Sequence, residues 1–192
     1  MTVFAPTLLA KSARKRYALA KKKLGASMRF FKSLAVLFVV LTLAACGGGS
    51  KFRTYNGPEV TSVQVHKADH MMYLLHGTQV LRSYDISLGF APVGHKQFEG
   101  DGKTPEGAYR INRRNPNSAY HLSLGISYPD VNDVAFARAA GQEPGGEIFI
   151  HGWSEILATS RDWTAGCIAV QDDEIEEIYA MVKDGTVIYI LP

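Results

Sequence analysis

Two side chains in this sequence can together open an acyl bond and manage the proton that goes with it. They are His151 and Cys167, which stand 16 positions apart in the segment EIFIHGWSEILATSRDWTAGCIAV, residues 147–170. A thiol attacks as its thiolate, so a nucleophilic cysteine needs a base or a positive group beside it. Imidazole titrates near neutrality and can take and return a proton, which makes His151 the expected partner. Pairing of this kind is expected to bring the Cys167 thiol well below the unperturbed cysteine value of about 8.5. Gly166 allows a tight turn just before the thiol. The backbone N–H groups of Ala165, Gly166 and Cys167 then form the expected oxyanion hole. A histidine and a cysteine at this separation also arise by chance, so the spacing alone does not decide.

The elements that must position this pair are mostly strands. Residues 147–151 are a β-rich run that delivers His151 at its end. Val60 to Val65 alternates apolar and polar residues as a half-buried strand does, and residues 71–75 and 79–86 flank a His76-Gly77-Thr78 turn as a hairpin. Residues 89–107 are dense in glycine and proline and read as a long loop system. Tyr109 to Asn112 and Thr186 to Leu191 read as further strands. Ile175, Ile178, Tyr179 and Val182 fall at helical spacing, with Asp172 and Asp173 at the start and Gly185 just past the end. The expected fold is mainly β with one or two helices, over residues 58–192.

The two halves of the charge distribution differ. Nine basic residues and no acid precede Cys46, which leaves 12 basic against 18 acidic residues from Cys46 onward, a net −6. The domain itself therefore lacks the basic face that nucleic acid requires. Met28 to Lys32 is a short positive start, and Leu34 to Ala45 is an apolar run too short to span a bilayer but suited to a signal peptide. It ends in Leu43-Ala44-Ala45-Cys46-Gly47, which resembles a bacterial lipobox. That resemblance implies a signal peptide over residues 28–45, lipidation of Cys46, and a tether over residues 46–57. Residues 1–27 are then a basic extension, with translation expected to start at Met28. The expected location is periplasmic and lipid-anchored, with the outer membrane preferred over the inner. With Cys46 lipidated, Cys167 has no intrachain partner in an oxidising compartment, where an unpaired thiol is either buried or used.

The segment around the pair resembles the catalytic signature of YkuD-type L,D-transpeptidases: a His-Gly at a strand end, followed by Ser/Thr-x-Gly-Cys and an apolar residue. Residues 96–109, KQFEGDGKTPEGAY, resemble the family's Gly-Asp-Gly-x-Thr-Pro-x-Gly-x-Tyr element, and residues 65–89 resemble its opening hairpin. The resemblance implies a β-sandwich with long active-site loops, Cys167 as nucleophile, His151 as general base, and Gly152 orienting the imidazole through its backbone. It also implies peptidoglycan stem peptides as substrate and needs no cofactor. No metal is expected: there is no HExxH or CxxC, and the His66-x3-His70 spacing falls where a strand meets a turn. A monomer is expected.

The sequence departs from the usual pattern at two points. Where the family commonly has Ser-His-Gly-Cys, this chain has Thr164-Ala165-Gly166-Cys167. The arginine often found two residues after the cysteine is Ala169 here, so another cation must hold a substrate carboxylate. Arg161 and the Arg113-Arg114 pair are the candidates, with solvated surface arginines as the alternative. Trp163, Thr164 and Tyr128 are expected to line the substrate groove, against the alternative of aromatic packing around the loop. Residues 123–129 and the run Asp162-Trp163-Thr164-Ala165-Gly166-Cys167 resemble a branch that includes enzymes cutting links to the wall. Three readings therefore stand: a transferase passing the acyl group to an amine, a hydrolase (L,D-carboxypeptidase or amidase) on the same substrates, and a non-catalytic wall-binding lipoprotein.

Overall fold

Strand alternation decides which side chains enter the core. In the computed structural model, which describes residues 50–153 and 161–192, β1 (Ser62–His66) turns Val63 and Val65 inward. Its antiparallel neighbour β2 (Met71–His76) turns in Met72 and Leu74, and β3 (Gln79–Asp85) returns beside it through the Gly77 turn. The C-terminal strand β8 (Val187–Leu191) pairs in parallel with β1, setting Ile188 beside Val63 and Ile190 beside Val65. The expected signal peptide and Cys46 lie outside the described residues.

β4 (Gly107–Asn115) joins this half to the other. Its first residues pair with β8, and beyond an irregularity between Ile111 and Arg113 it pairs with β5 (Ser123–Ile126). A bulge bends and twists a strand, so this is where the sheet turns over. β6 (Phe149–Trp153) and β7 (Ile168–Gln171) complete the ladder, giving one eight-stranded sheet in the order β3-β2-β1-β8-β4-β5-β6-β7. Ser87, just past β3, bridges Ala169 in β7, so the two ends of the ladder meet. Leu74, Ile188, Leu124, Ile150 and Ile168 share one core.

Among the described residues two helices complete the domain, as expected for this class. α1 (Val131–Ala139) was not legible as a helix, and α2 (Asp172–Met181) was. α2 buries Ile175, Ile178 and Met181 against β6 and β7. At its start the Glu174 carboxylate accepts from the Gln171 N–H at 2.9 Å. At its far end Arg114 donates to the Tyr179 and Val182 carbonyls and lies over the Tyr179 ring at 3.9 Å. Its carbonyls are thereby satisfied by a cation, as helix C-termini favour.

Candidate active site

β6 and β7 run parallel, with His151 opposite Ala169. Extending that register one alternation back sets Cys167 level with Phe149, on the same face of the sheet as His151. Strands lie about 4.8 Å apart and rise about 3.3 Å per residue, so the two backbone positions are about 8 Å apart. The 16-residue separation in sequence is thus closed by the parallel pairing of β6 and β7.

The imidazole is oriented by its neighbour. His151 Nδ1 lies 2.9 Å from the Gly152 carbonyl oxygen, which can only accept, so Nδ1 carries the proton and Nε2 is left as the acceptor. Gly152 N–H in turn donates to the Tyr120 and Leu122 carbonyls. A Cβ at position 152 would lie 2.5 Å from Asp172 Oδ1 and 2.7 Å from Ile175 Cγ2, so glycine is required there. His151 is 3% exposed. The Tyr120 ring covers it at 4.5 Å between centroids, and Trp163 meets it edge-on at 5.9 Å.

Burial pushes the His151 pKa below its ordinary value, against the Gly152 carbonyl and Asp172, which push it up. Burial also raises the Cys167 thiol, and the Glu147 charge adds to the rise; a backbone hydrogen bond from Phe149 and the charge on Lys96 oppose it. The expected low-pKa thiol is therefore corrected. At neutral pH the resting pair is thiol and neutral imidazole, because burial disfavours both charged forms. The thiol rests 3.5 Å from the Glu147 carbonyl oxygen.

The turn before the thiol is held on two sides. Thr164 Oγ1 donates to the Cys167 carbonyl at 2.7 Å and accepts from Gly166 N–H at 3.1 Å. Gly166 N–H is thus engaged inside the turn, which leaves the amides of Ala165 and Cys167 from the expected trio. Gly166 adopts φ +135°, and a Cβ there would meet the Lys103 carbonyl oxygen at 2.6 Å. Backbone bonds Ser87 N–H to Ala169 O, Ala169 N–H to Ser87 O, Thr164 N–H to Leu88 O and Phe90 N–H to Thr164 O clamp this turn to the segment after β3. Asp162 extends the clamp by accepting from Leu88 N–H at 2.9 Å and pairing with His70.

Behind the turn, Asp101 accepts from the amides of Gln97, Phe98 and Lys103 and from Lys96 Nζ. Burial alone would raise its pKa, but the three amides and the ammonium hold it at about 2. Asp101 thereby ties the loop at 96–103 whose Lys103 carbonyl packs on Gly166. A cavity of about 710 Å³ opens over the thiol, lined among others by Lys96, Glu99, Glu143, Glu147, Ala165 and Cys167.

Comparison with known proteins decides the family. Residues 61–190 match the YkuD family of L,D-transpeptidase catalytic domains. The chain belongs to this family. It is 32% identical over 131 residues to the putative L,D-transpeptidase YafK of Escherichia coli, covering 65% of this chain and 48% of that protein. The chain thus spans about half the length of the curated relatives it matches. Among solved structures it resembles a mutant of the helical cell shape determining protein Pgp2 from Campylobacter jejuni, with TM-score 0.52 and 25% identity over 77% of this chain and 52% of that one. It shares its fold with Bd1075 of Bdellovibrio bacteriovorus, with TM-score 0.50, 24% identity, and coverage of 69% and 48%.

As a YkuD domain, the chain distributes its expected groove residues unevenly. Ala165 is exposed and lines the cavity. Thr164 is buried, with its hydroxyl committed to the turn. Tyr128 is also buried, and its hydroxyl donates to the Pro144 carbonyl at 3.0 Å, so it supports the loop beneath the cavity and does not line it. Trp163 belongs to an aromatic cluster with Tyr120 and Trp153 around His151.

Of the candidate cations, Arg161 lines a second hollow of about 390 Å³ with Ser87, Trp153 and Ala169, the position where the family arginine is missing. It pairs with Asp85, 3.3 Å away and likewise exposed. Arg113 pairs with Glu147 and lies over Phe149, and Arg114 is spent on α2. His70 is bound to Asp162, and His66 packs edge-on against Tyr73. Tyr120 carried no sequence signal, because it stands in a polar stretch and reaches His151 only through the fold.

Proposed function

We propose that this domain is a cell-wall cysteine enzyme acting on peptidoglycan stem peptides through an acyl-enzyme on Cys167. Sγ attacks the carbonyl of the L-centre of a diamino acid while its proton passes to His151 Nε2. The C–N bond to the following D-residue breaks, and the proton leaves with that amine. An incoming amine then attacks the thioester, the C–S bond breaks, and the amine's proton passes through the imidazole to Sγ, completing an L,D-transpeptidation. The carrying observation is the Gly152 carbonyl on His151 Nδ1, which puts the proton there and supports Nε2 as the acceptor. The Ala165 and Cys167 amides are assigned to the developing oxyanion. Arg161, beside Ala169, is assigned to the substrate carboxylate, and Trp163 to closing the groove over His151. The chemistry needs neither metal nor cofactor, and the domain acts as a monomer. The cell-shape role of Pgp2 is in keeping with wall chemistry of this kind.

The test is incubation of residues 50–192 with defined muropeptides, with and without an added acceptor stem, read by mass spectrometry. Release of the D-residue, a mass adduct on Cys167, and cross-linked product are expected, with all three lost in Cys167→Ser. Release without cross-link in the presence of acceptor would overturn transfer in favour of hydrolysis. No adduct on any stem would overturn the enzyme reading.

We further propose that Cys46 is lipidated and holds the domain at the periplasmic face of a membrane, the outer one preferred. Among the described residues no helix is long and apolar enough to cross a membrane. Cys46→Ser is expected to release the protein from detergent-extracted acylated material, and metabolic labelling with a fatty-acid analogue checks it. Label retained in that variant would sink the proposal.

A further inference from the structure

We infer that Asp172 is a positioning residue that supplies the buried counter-charge for the His151 imidazolium, acting across Gly152. The inference rests on the proposed role of His151 as the base. Asp172 opens α2, where an acid ordinarily faces solvent and favours the helix dipole. Its Oδ1 is instead fully buried, with no hydrogen-bond partner among the described residues. A buried carboxylate oxygen left unpaired is costly and calls for an explanation. Capping of α2 does not provide one, because the contact at this helix start runs from Gln171 N–H to Glu174.

What Oδ1 packs against is Gly152, in the space a Cβ would fill. Gly152 also carries the carbonyl that holds His151 Nδ1. That carbonyl sets the tautomer but brings no net charge. When Nε2 takes the Cys167 proton, a cation forms in a site 3% exposed, where a nearby carboxylate acts through low dielectric. The titratable groups around the ring are Tyr120, tilted over it, Cys167 just before β7, and Asp172 from α2. Asp172 is the one charged side chain among the described residues acting on the ring, and it offsets part of the downward push of burial. Glycine at 152 then has two functions: its carbonyl orients the imidazole, and its missing side chain admits the carboxylate.

The experiment is NMR titration of the His151 ring in the wild-type protein and in Asp172→Asn, with the signal assigned by its loss in His151→Gln. Removing the carboxylate removes a negative charge that favours imidazolium, so the midpoint is expected to fall, by about one pH unit or less. In turnover the acid limb of kcat/KM is expected to move to lower pH by the same amount, while the plateau drops. A purely structural role would lower the plateau and leave the limb in place, and an unmoved midpoint overturns the inference. Asp172→Ser, smaller and uncharged, gives the same reading should the asparagine variant not fold. Because the titration needs no substrate, a shifted midpoint without activity on stem peptides would overturn the substrate reading and leave the counter-charge standing.

Discussion

Gly166→Ala is expected to cut acyl-enzyme formation on Cys167 by about 100- to 1000-fold, the cost of losing an oxyanion donor. Two independent constraints meet at this residue. Its φ of +135° is a conformation that L side chains rarely adopt, and a new methyl would lie 2.6 Å from the Lys103 carbonyl oxygen. That oxygen is backbone, in a loop tied down by Asp101, so it cannot swing aside as a side-chain end would. The turn itself must move, taking with it the Ala165 and Cys167 amides and the thiol. The core under β6 and β7 does not pass through this turn, so the variant is expected to remain folded with a lowered melting temperature. Intact-mass detection of the adduct, alongside circular dichroism and melting, separates the two effects. A folded Gly166→Ala protein that acylates at the wild-type rate would show that the backbone path here does not build the electrophile site.

How much of this was legible in the sequence depended on whether one face of an element meets water. β1 alternates because its outer face is solvated, and the sequence carries that period, whereas the hairpin of β2 and β3 was legible from the Gly77 turn between its two runs. β5 and β7 are short and almost wholly buried, so Ser123–Ile126 and Ile168–Gln171 show no alternation to read. α2 shows its apolar stripe because Ile175 and Ile178 face the sheet. α1 buries only Ala137 and is instead fixed at its start by reciprocal bonds between Asp130 and Asp133, a short polar signal without a stripe.

The site divides in the same way. His151, Gly152, Gly166 and Cys167 could be named from their chemistry and from resemblance, because their roles belong to residue type and local backbone. The pKa directions could not be read, since they follow from how deeply a neighbouring loop buries the pair. Asp172 read as a helix-start acid, and only the fold sets its Oδ1 against Gly152. Thr164 and Tyr128 look from sequence like groove residues, and the fold commits their hydroxyls to the loop's own backbone.

His151→Ala is expected to lower acylation at neutral pH by about 100- to 10,000-fold, the usual contribution of a positioned general base. The sign of its pH dependence follows from the two shifts. Burial holds the imidazole below its ordinary pKa, so the wild-type base stays neutral and active as pH falls past the ordinary histidine value. Burial also raises the thiol, so preformed thiolate is scarce at neutral pH and becomes abundant only above the ordinary cysteine value. In the wild type the proton leaves as the bond forms, and the rate is expected to be flat across neutral pH. Without the imidazole only preformed thiolate attacks, so the His151→Ala rate should climb about tenfold per pH unit from neutral into the alkaline range. The two profiles therefore converge at high pH and diverge most at low pH. Stopped-flow acylation followed by intact mass, run from acid to alkaline pH on both proteins, measures this directly. Parallel profiles at a constant ratio would mean that His151 fixes the structure of the turn and takes no proton. Coincident profiles would remove it from the reaction, leaving the thiol to be activated by Lys96 across the cavity, whose charge favours its thiolate.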